Sequence, residues 1–267
     1  MIVFREEFKS IAQFISAMDA RPVNQVWKNH VLASEQKGGR RWSGTDSYTE
    51  ANNLLKFGDK DSAAKLSKHT KALMVKGSGM KKRPTVKPDV TGFYPLVGAV
   101  LSGDPMNMLM MNSKMRKHRR VVNILWNVSA PADISREQII EQGARVLSLI
   151  EQLERQGYSV NLSAFLASMN GVRQKKECMM CVVRIKDAAQ RMCILKCAYP
   201  MVNPSFLRRH MLRYMERHPQ VTQKGFVTGY GTPVTEKYYQ DEYKEITKGM
   251  KYDLVVDVYT PADKIKF

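Results

Sequence analysis

Residues 121–168 read VVNILWNVSAPADISREQIIEQGARVLSLIEQLERQGYSVNLSAFLAS, and this stretch decides the fold class. The apolar run 121–126 predicts a strand that is buried on both faces. Ser135 and Gln138 have the spacing of a capping box, which predicts the start of a helix, and Gly157 predicts its end. Apolar and polar residues alternate after Gly157, which indicates a second strand. Two strands joined by a helix of this length are most simply parallel, with a right-handed crossover.

The segment that follows the first strand, residues 127–133, is the candidate site. Ligands of such units lie outside the carboxyl ends of the parallel strands. The segment carries Asn127, Ser129 and Asp133, whose side chains offer oxygen atoms. We therefore expect a ligand of this domain to lie at this corner of the sheet.

The order of strand, serine-bearing loop, long helix and alternating strand resembles that of von Willebrand factor A-like domains. In that family the first strand ends in D-x-S-x-S, a motif that holds a divalent cation. The matching positions here are Asn127, Ser129 and Pro131, so only Ser129 is retained. Asp133 would replace the missing carboxylate only with a shifted geometry. The oxygen ligands that Mg²⁺ prefers are thus largely absent, and we expect no cofactor, with Mg²⁺ at Ser129 and Asp133 as the alternative.

The chain divides, by these patterns, into two parts. Residues 90–267 are predicted to form an α/β domain of the von Willebrand factor A-like kind, with a mainly parallel sheet and flanking helices. Residues 1–89 are predicted to form a basic helical N-terminal portion that packs on this domain rather than folding alone. Its first helix is expected over residues 4–18, where apolar residues recur at helical spacing.

A large excess of positive charge is the strongest global feature of the sequence. The 43 Lys and Arg residues outnumber the 25 Asp and Glu residues, which gives a net charge of +18. A phosphate backbone is the usual partner of such an excess, because its binding releases counterions. Anionic lipid, an acidic protein and a plain basic surface are the alternatives. We predict contacts with DNA or RNA phosphates from Arg40, Arg41, Lys65, Lys68, Lys81, Lys82, Arg83, Lys114, Arg116, Lys117, Arg119, Arg120, Arg208 and Arg209.

The four cysteines, Cys178, Cys181, Cys193 and Cys197, have a spacing close to that of a structural zinc site. Cys178 and Cys181 lie in a predicted strand, where residues three apart face opposite sides of the sheet. Such a pair does not fit one tetrahedral site. We therefore expect buried free thiols in a reducing compartment.

The sequence also gives information about targeting and about the origin of the protein. No apolar run approaches the roughly 20 residues that span a bilayer, and charges occur too early in MIVFREEFKS for a secretory signal. We therefore expect neither secretion nor a membrane partner. Segments 42–51, 101–106, 143–158 and 203–209 resemble a group of uncharacterised bacteriophage proteins. This resemblance implies a phage or mobile-element origin, and hence a location in the host cytoplasm or the virion, but no particular activity.

Three hypotheses of function remain open. The first is a non-enzymatic, nucleic-acid-associated phage protein. The second is a virion or assembly component, as a homo-oligomer or with a phage protein partner, whose basic face meets packaged genome or an acidic partner. The third is a metal-dependent nuclease or other hydrolase that uses Asp104, Ser129, Asp133, His210 or Asp257. No nucleophile and base occur at a diagnostic spacing, so the sequence favours a protein that is not an enzyme.

Overall fold

A computed structural model of the chain describes residues 1–74, 86–111, 120–130, 134–170, 176–220, 226 and 229–266. The strands are β1 (Ile2–Phe8), β2 (Val86–Asp89), β3 (Tyr94–Pro95), β4 (Met108–Met111), β5 (Val121–Asn127), β6 (Ser159–Met169), β7 (Glu177–Lys186), β8 (Thr232–Pro233) and β9 (Leu254–Val256). The α-helices are α1 (Ile11–Ala20), α2 (Arg40–Ser43), α3 (Tyr48–Phe57), α4 (Lys60–Met74), α5 (Val97–Leu101), α6 (Arg136–Gln156), α7 (Ile194–Val202), α8 (Leu212–Glu216) and α9 (Gln240–Thr247). A π-helix, Phe206–Met211, leads directly into α8.

The central sheet has the strand order β1-β7-β6-β5-β9, and the short β8 pairs with β6. The pairs β1/β7, β5/β6 and β5/β9 are parallel, whereas β6/β7 and β6/β8 are antiparallel. The predicted α/β class with a mainly parallel sheet and flanking helices is therefore confirmed. The carboxyl ends of β5, β6 and β9 lie at one edge of the sheet, because these three strands run in the same direction.

The unit β5–α6–β6 forms as its sequence predicts. Ser135 Oγ accepts a hydrogen bond from the backbone N–H of Gln138 at 3.2 Å, and Gln138 Oε1 accepts one from the Ser135 N–H at 3.0 Å. This capping box begins α6, and Gly157 ends it in the left-handed region with φ +97°. β5 and β6 then pair in parallel, with Val121 opposite Ser159.

Helices cover both faces of the sheet, with most of the core on one side. There α6, α7 and the π-helix bury residues such as Leu147 and Phe206 against the β5 side chain of Trp126. On the other face, α9 packs Tyr243 and Ile246 against neighbours that include Phe165 of β6. Burial on both faces explains why β5 reads as an almost unbroken apolar run.

The N-terminal portion differs from the prediction. Residues 2–8 form β1, which pairs in parallel with β7, and α1 begins only at Ile11, after the cap residue Ser10. The prediction of one helix over residues 4–18 is therefore wrong. Phe4 and Phe8 are four residues apart, a spacing that puts them on one face of either a helix or a strand. Pairing with β7 favours the strand, because it provides backbone hydrogen bonds from a distant part of the chain. Residues 1–89 are thus not a purely helical portion.

A second, antiparallel sheet of order β2-β4-β3 spans the position at which the two predicted parts meet. Its strand β2, Val86–Asp89, precedes residue 90, and its partner β4 follows that residue. Large apolar side chains in this region are exposed to solvent, among them Phe93, Val97 and Leu101. This sheet therefore has an apolar surface that the described residues leave uncovered.

The cysteines are free thiols, as predicted. Cys181 packs in the core on the helix-rich face of the sheet and Cys178 in the core on the opposite face, so the predicted opposition of these two residues is confirmed. Burial raises the pKa of Cys178 to about 12 and that of Cys197 to about 11. Cys193 is exposed, so the predicted burial is wrong for this one cysteine. None of the helices within the described ranges is long and apolar enough to cross a membrane.

Candidate functional site

A cleft of about 370 Å³ lies where β5 and β6 end at the carboxyl edge of the sheet. Its lining includes Ser129, which follows β5, and Ser168, which lies near the end of β6. Arg208 of the π-helix also lines it, as do Trp42 of the short helix α2 and Tyr230 of a loop. The cleft thus occupies the position at which parallel α/β units usually bind ligands.

The polar groups at the strand end are used within the protein. Ser129 Oγ accepts from the backbone N–H of Ala167 at 2.9 Å and donates to the Ala167 carbonyl at 3.2 Å. The side chain of Asn127 accepts from the Ser129 N–H at 2.9 Å and donates to the Val234 carbonyl at 3.0 Å. Both residues are buried. Ser129 therefore fastens β5 to β6, and it would have to give up these bonds to coordinate a cation.

The candidate Mg²⁺ site has little support from its surroundings. Asp133, the second predicted ligand, lies outside the described residues. Within the part of the chain that the structure describes, His, Cys, Asp and Glu side chains form no group of three or more that could hold a metal ion. The side-chain oxygen atoms of Ser129 and Asn127 are engaged in internal hydrogen bonds, so they do not form a set of free oxygen ligands for a cation.

Arg208 and Trp42 form the most distinctive feature of the cleft. The guanidinium carbon of Arg208 lies 4.6 Å from the centroid of the Trp42 ring, a cation–π geometry. Trp42 is 46% exposed, and Arg208 is half-buried. Desolvation lowers the pKa of Arg208, and no carboxylate among the described residues offsets this effect. The cleft therefore contains a positive charge that is partly removed from water and for which the described residues provide no carboxylate counterion.

The loop of residues 33–45, which includes the short helix α2 and Trp42, is held in place by the buried side chain of Arg209. Its guanidinium donates to five oxygen atoms, of which four are backbone carbonyls of the loop and one is a hydroxyl: Ala33 O, Gln36 O, Gly38 O, Thr45 O and Ser43 Oγ. Only 1% of Arg209 is exposed. Gly44 has φ +82°, and a Cβ at this position would lie 2.5 Å from Asn203 Oδ1. The loop is thus packed tightly against the π-helix region.

The loop at Tyr230 forms another wall of the cleft and is fixed by close approaches. Tyr230 has φ +65°, a conformation that few non-glycine residues adopt. Gly231 has φ +76°, and a Cβ there would lie 2.5 Å from the carbonyl oxygen of Met169. The hydroxyl of Ser168 donates to the Tyr230 carbonyl at 2.5 Å, and the Tyr230 ring stacks on Trp27 with centroids 4.7 Å apart.

Glu216 at the end of α8 connects the two loops. Its carboxylate accepts hydrogen bonds from the Ser34 N–H at 3.1 Å, from the Ser34 hydroxyl, and from the Tyr230 hydroxyl at 2.7 Å. Glu216 is fully buried, and desolvation raises its pKa. One acidic side chain therefore joins the segment that leads to Trp42 with the loop at Tyr230.

The π-helix explains why three consecutive polar residues have different roles. Arg208 faces the cleft, whereas Arg209 and His210 are buried. His210 contacts the Tyr199 hydroxyl through Nδ1 at 3.1 Å and Asn52 Oδ1 through Nε2 at 2.9 Å. Burial lowers the pKa of His210 to about 3. π-helical turns often occur at functional sites, and here such a turn provides the cleft with its cation.

The predicted phosphate contacts other than Arg208, which lines the cleft, fall into three groups. Arg41, Lys65 and Lys68 are exposed, as is Arg120, and Arg40 is engaged in ion pairs with Asp46 and Glu50, both 2.8 Å long. Arg209 requires a correction: its five internal hydrogen bonds remove it from the set of surface cations. The remaining predicted contacts lie outside the described residues: Lys81, Lys82, Arg83, Lys114, Arg116, Lys117 and Arg119.

The predicted catalytic side chains are used in other ways. Asp104 accepts from the Met106 N–H at 2.8 Å in an exposed turn. The carboxylate of Asp257 accepts from the backbone N–H groups of Glu236 and Tyr259 and from the Thr260 hydroxyl. His210 is enclosed by its two polar partners and aromatic neighbours. Of the four candidates that the structure describes, Ser129 alone lines the cleft that contains Arg208, and Asp133 lies outside the described residues.

Two residues of the cleft were not predicted from the sequence. Trp42 lies in KGGRRWSG, and an aromatic residue within a glycine-flanked basic loop is a signal that could have drawn attention to it. Tyr230 lies between two glycines, which indicates a tight turn but gives no indication of its partners.

A family model described as a domain of unknown function, DUF7192, matches residues 2–263. The chain belongs to this family. Neither the curated proteins nor the solved structures contain a significant match. The DUF7192 description carries no activity, so the functional argument depends on the geometry of the cleft and the charge of the chain.

Proposed function

We propose that the chain is a non-enzymatic protein that binds the phosphate backbone of DNA or RNA through lysine and arginine side chains. The observation that supports this most is Arg208, a half-buried cation at the strand-end cleft without a carboxylate partner among the described residues. A charge that is partly removed from water is stabilised by an anion that hydrogen-bonds to it. A phosphate group matches the planar donors of arginine well.

The charge of the whole chain supports the same proposal. The net charge of +18 favours a polyanionic partner, because each neutralised phosphate releases condensed counterions. Arg41 adjoins Trp42 in α2, and Lys65 and Lys68 are exposed on α4. These side chains would add contacts that depend little on base sequence.

We further propose a bacteriophage setting, with action in the host cytoplasm or in the virion. This rests on the resemblance of segments 42–51 and 203–209, among others, to phage proteins. Those two segments contain Trp42 and Arg208, the pair that marks the cleft. The likeness to von Willebrand factor A-like domains is proposed only for the unit β5–α6–β6.

A virion or assembly component is the second candidate, and one observation favours it. Val90, Phe93, Val97 and Leu101, in the region of the small sheet, are each more than half exposed. Exposed apolar groups of this kind often mark protein–protein contacts. Light scattering of the purified chain tests this candidate: a defined oligomer is expected, and a monomer at all concentrations would count against it.

A mobility-shift titration tests the main proposal. The full chain is mixed with labelled DNA and RNA of about 30 nucleotides at about 50 mM and 200 mM salt, and we expect binding that weakens steeply as salt rises. Absence of a shift at the lower salt concentration would refute the proposal. Binding that is insensitive to salt would also contradict it, since phosphate contacts depend on counterion release.

A further inference from the structure

We propose that the strand-end cleft receives one nucleotide of a single strand, with its phosphate at Arg208 and its base stacked on Trp42. This inference rests on the proposed function and specifies it further, because it names the form of nucleic acid and the side chain that contacts a base. The cleft is the place where an aromatic ring and an arginine without a carboxylate partner among the described residues occur together.

The exposed surface of Trp42 provides the stacking contact. One face of the indole is covered by Arg208 at 4.6 Å, yet 46% of the residue remains exposed. The exposed part of this aromatic ring offers apolar area that a ligand can cover. An indole is a good platform for any nucleobase, because every base has a π-face. A base on the open face would extend the stack that Arg208 begins.

The phosphate of the same nucleotide fits Arg208. The guanidinium is anchored over the ring, so its donors are oriented before a ligand binds. A planar guanidinium binds phosphate through two parallel hydrogen bonds, while its stacking on an aromatic ring continues. Arg208 and Trp42 are neighbours in the cleft, so they would contact a phosphate and a base of the same nucleotide.

The size of the cleft favours a single strand over a duplex. Its volume of about 370 Å³ lies in the lower part of the range for ligand sites, which suits one nucleotide unit. In a duplex the bases are stacked on one another and paired, so none presents an open face to Trp42. Flipping a base out of a duplex costs a few kcal/mol, whereas a single strand has unstacked bases available.

The rigidity of the walls reduces the entropy that binding would otherwise lose. The Trp42 loop is held by the five hydrogen bonds of Arg209, and Glu216 connects that loop region to Tyr230. A site that is already ordered loses less conformational freedom on binding. The internal bonds of Arg209 thus act on binding indirectly, by positioning Trp42.

Fluorescence anisotropy with the full-length chain tests the inference. The probes are a labelled single-stranded oligonucleotide of about 12 nucleotides and the duplex of the same sequence, at equal salt. We expect the single strand to bind at least about tenfold more tightly, because stacking on one aromatic ring contributes on that order. Trp42→Ala should reduce single-strand affinity about tenfold, and Trp42→Phe should retain most of it.

Phe93→Ala is the matched control, since Phe93 is another exposed aromatic residue, 62% exposed, in the separate small sheet. It should leave the affinity for the single strand unchanged. Tryptophan fluorescence gives a second readout that does not depend on an alanine variant folding. Trp27 and Trp126 are buried, so quenching on addition of the single strand should come from Trp42 and be absent in Trp42→Phe.

Equal affinities for single strand and duplex, together with no effect of Trp42→Ala and no quenching, would overturn this inference and leave the proposed function standing. Absence of binding to both forms at low salt would overturn the proposed function itself. Preference for the single strand, sensitivity to Trp42 and quenching from Trp42 would together support the inference.

Discussion

The two sides of the π-helix Phe206–Met211 carry the same kind of residue in opposite surroundings. On the outer side, Arg208 lies over Trp42 at the cleft and has no carboxylate partner among the described residues. On the inner side, Arg209 is 1% exposed and donates to five oxygen atoms of the loop that carries Trp42. One arginine is available to a ligand, and the next stabilises the platform beside it.

This difference shows that the excess of positive charge is not all a binding surface. Some of the cations are used to hold backbone segments together, as Arg209 does, and others are paired, as Arg40 is with Asp46 and Glu50. Counting basic residues therefore overestimates an interface. The useful quantity is the number of exposed or cleft-lining cations that lack carboxylate partners.

The largest expected effect is a difference in the free energy of unfolding between variants of Arg209 and of Arg208. Arg209→Met keeps the aliphatic stem but removes the donors to the carbonyls of Ala33 and Gly38, among others. Each buried acceptor without a partner costs about 1–3 kcal/mol, so we expect a loss of at least about 3 kcal/mol in the free energy of unfolding. Urea denaturation measures it, with Arg208→Met as the matched variant, for which the loss should stay below about 1 kcal/mol. Equal losses would contradict the comparison.

The next largest effect is expected in the loop at Tyr230, which forms one wall of the cleft. Gly229 and Gly231 have φ values of +75° and +76°, so alanine at either position costs about 1 kcal/mol in the left-handed region. Only at Gly231 would the new Cβ also meet backbone, 2.5 Å from the Met169 carbonyl. We expect Gly231→Ala to lower the free energy of unfolding by about 2 kcal/mol more than Gly229→Ala. Thermal denaturation of the pair decides this, and similar melting temperatures would show that the wall is not tightly packed.

His210, on the inner side, predicts a dependence of stability on pH. Burial lowers its pKa to about 3 in the folded state, whereas the unfolded chain binds the proton near pH 6.5. The unfolded state thus binds more protons between these values, and stability falls as the pH falls from 6.5, by about 1 kcal/mol per unit from this residue. His210→Gln should remove that contribution from the pH profile, and His30→Gln, at an exposed position, should not. Identical profiles for all three proteins would disprove the assignment.

The smallest effect concerns the geometry of the outer cation. Arg208→Lys keeps the charge for a phosphate but loses the guanidinium group that lies over the Trp42 ring. A difference of about 0.5–1 kcal/mol in cation–π energy corresponds to a several-fold loss of affinity for nucleic acid. Anisotropy titrations at one salt concentration measure it. An unchanged affinity would mean that charge alone, without the ring, accounts for the role of Arg208.

Local signals predicted the centre of the fold well. The spacing of Ser135 and Gln138 and the glycine at position 157 define the ends of α6 through hydrogen bonds and φ values that involve only neighbouring residues. Ser47 begins α3 through an equally local contact, by accepting a hydrogen bond from the Glu50 N–H at 3.1 Å. Such features are encoded within one turn of chain and can be recognised in a single sequence.

Features that depend on distant contacts could not be predicted in the same way. Strand β1 forms because residues 177–183 of β7 offer it a partner, and the local pattern alone suits a helix equally well. The contact between Trp42 and Arg208 joins helix α2 and the π-helix, which are far apart in the sequence. Arg208 faces the cleft and Arg209 the interior because of the way the π-helix is rotated about its axis. No spacing rule in the sequence indicates this rotation.

The most direct test of the cleft as a phosphate site is an affinity titration of Arg208→Gln with single-stranded nucleic acid, at about 50 mM and 200 mM salt. Arg155→Gln is the control, because it removes the same charge from the exposed end of α6 near the opposite edge of the sheet. We predict that Arg208→Gln lowers affinity about tenfold and reduces the slope of log affinity against log salt by about one, while Arg155→Gln changes neither appreciably. Binding by Arg208→Gln that equals that of Arg155→Gln at both salt concentrations would contradict the account.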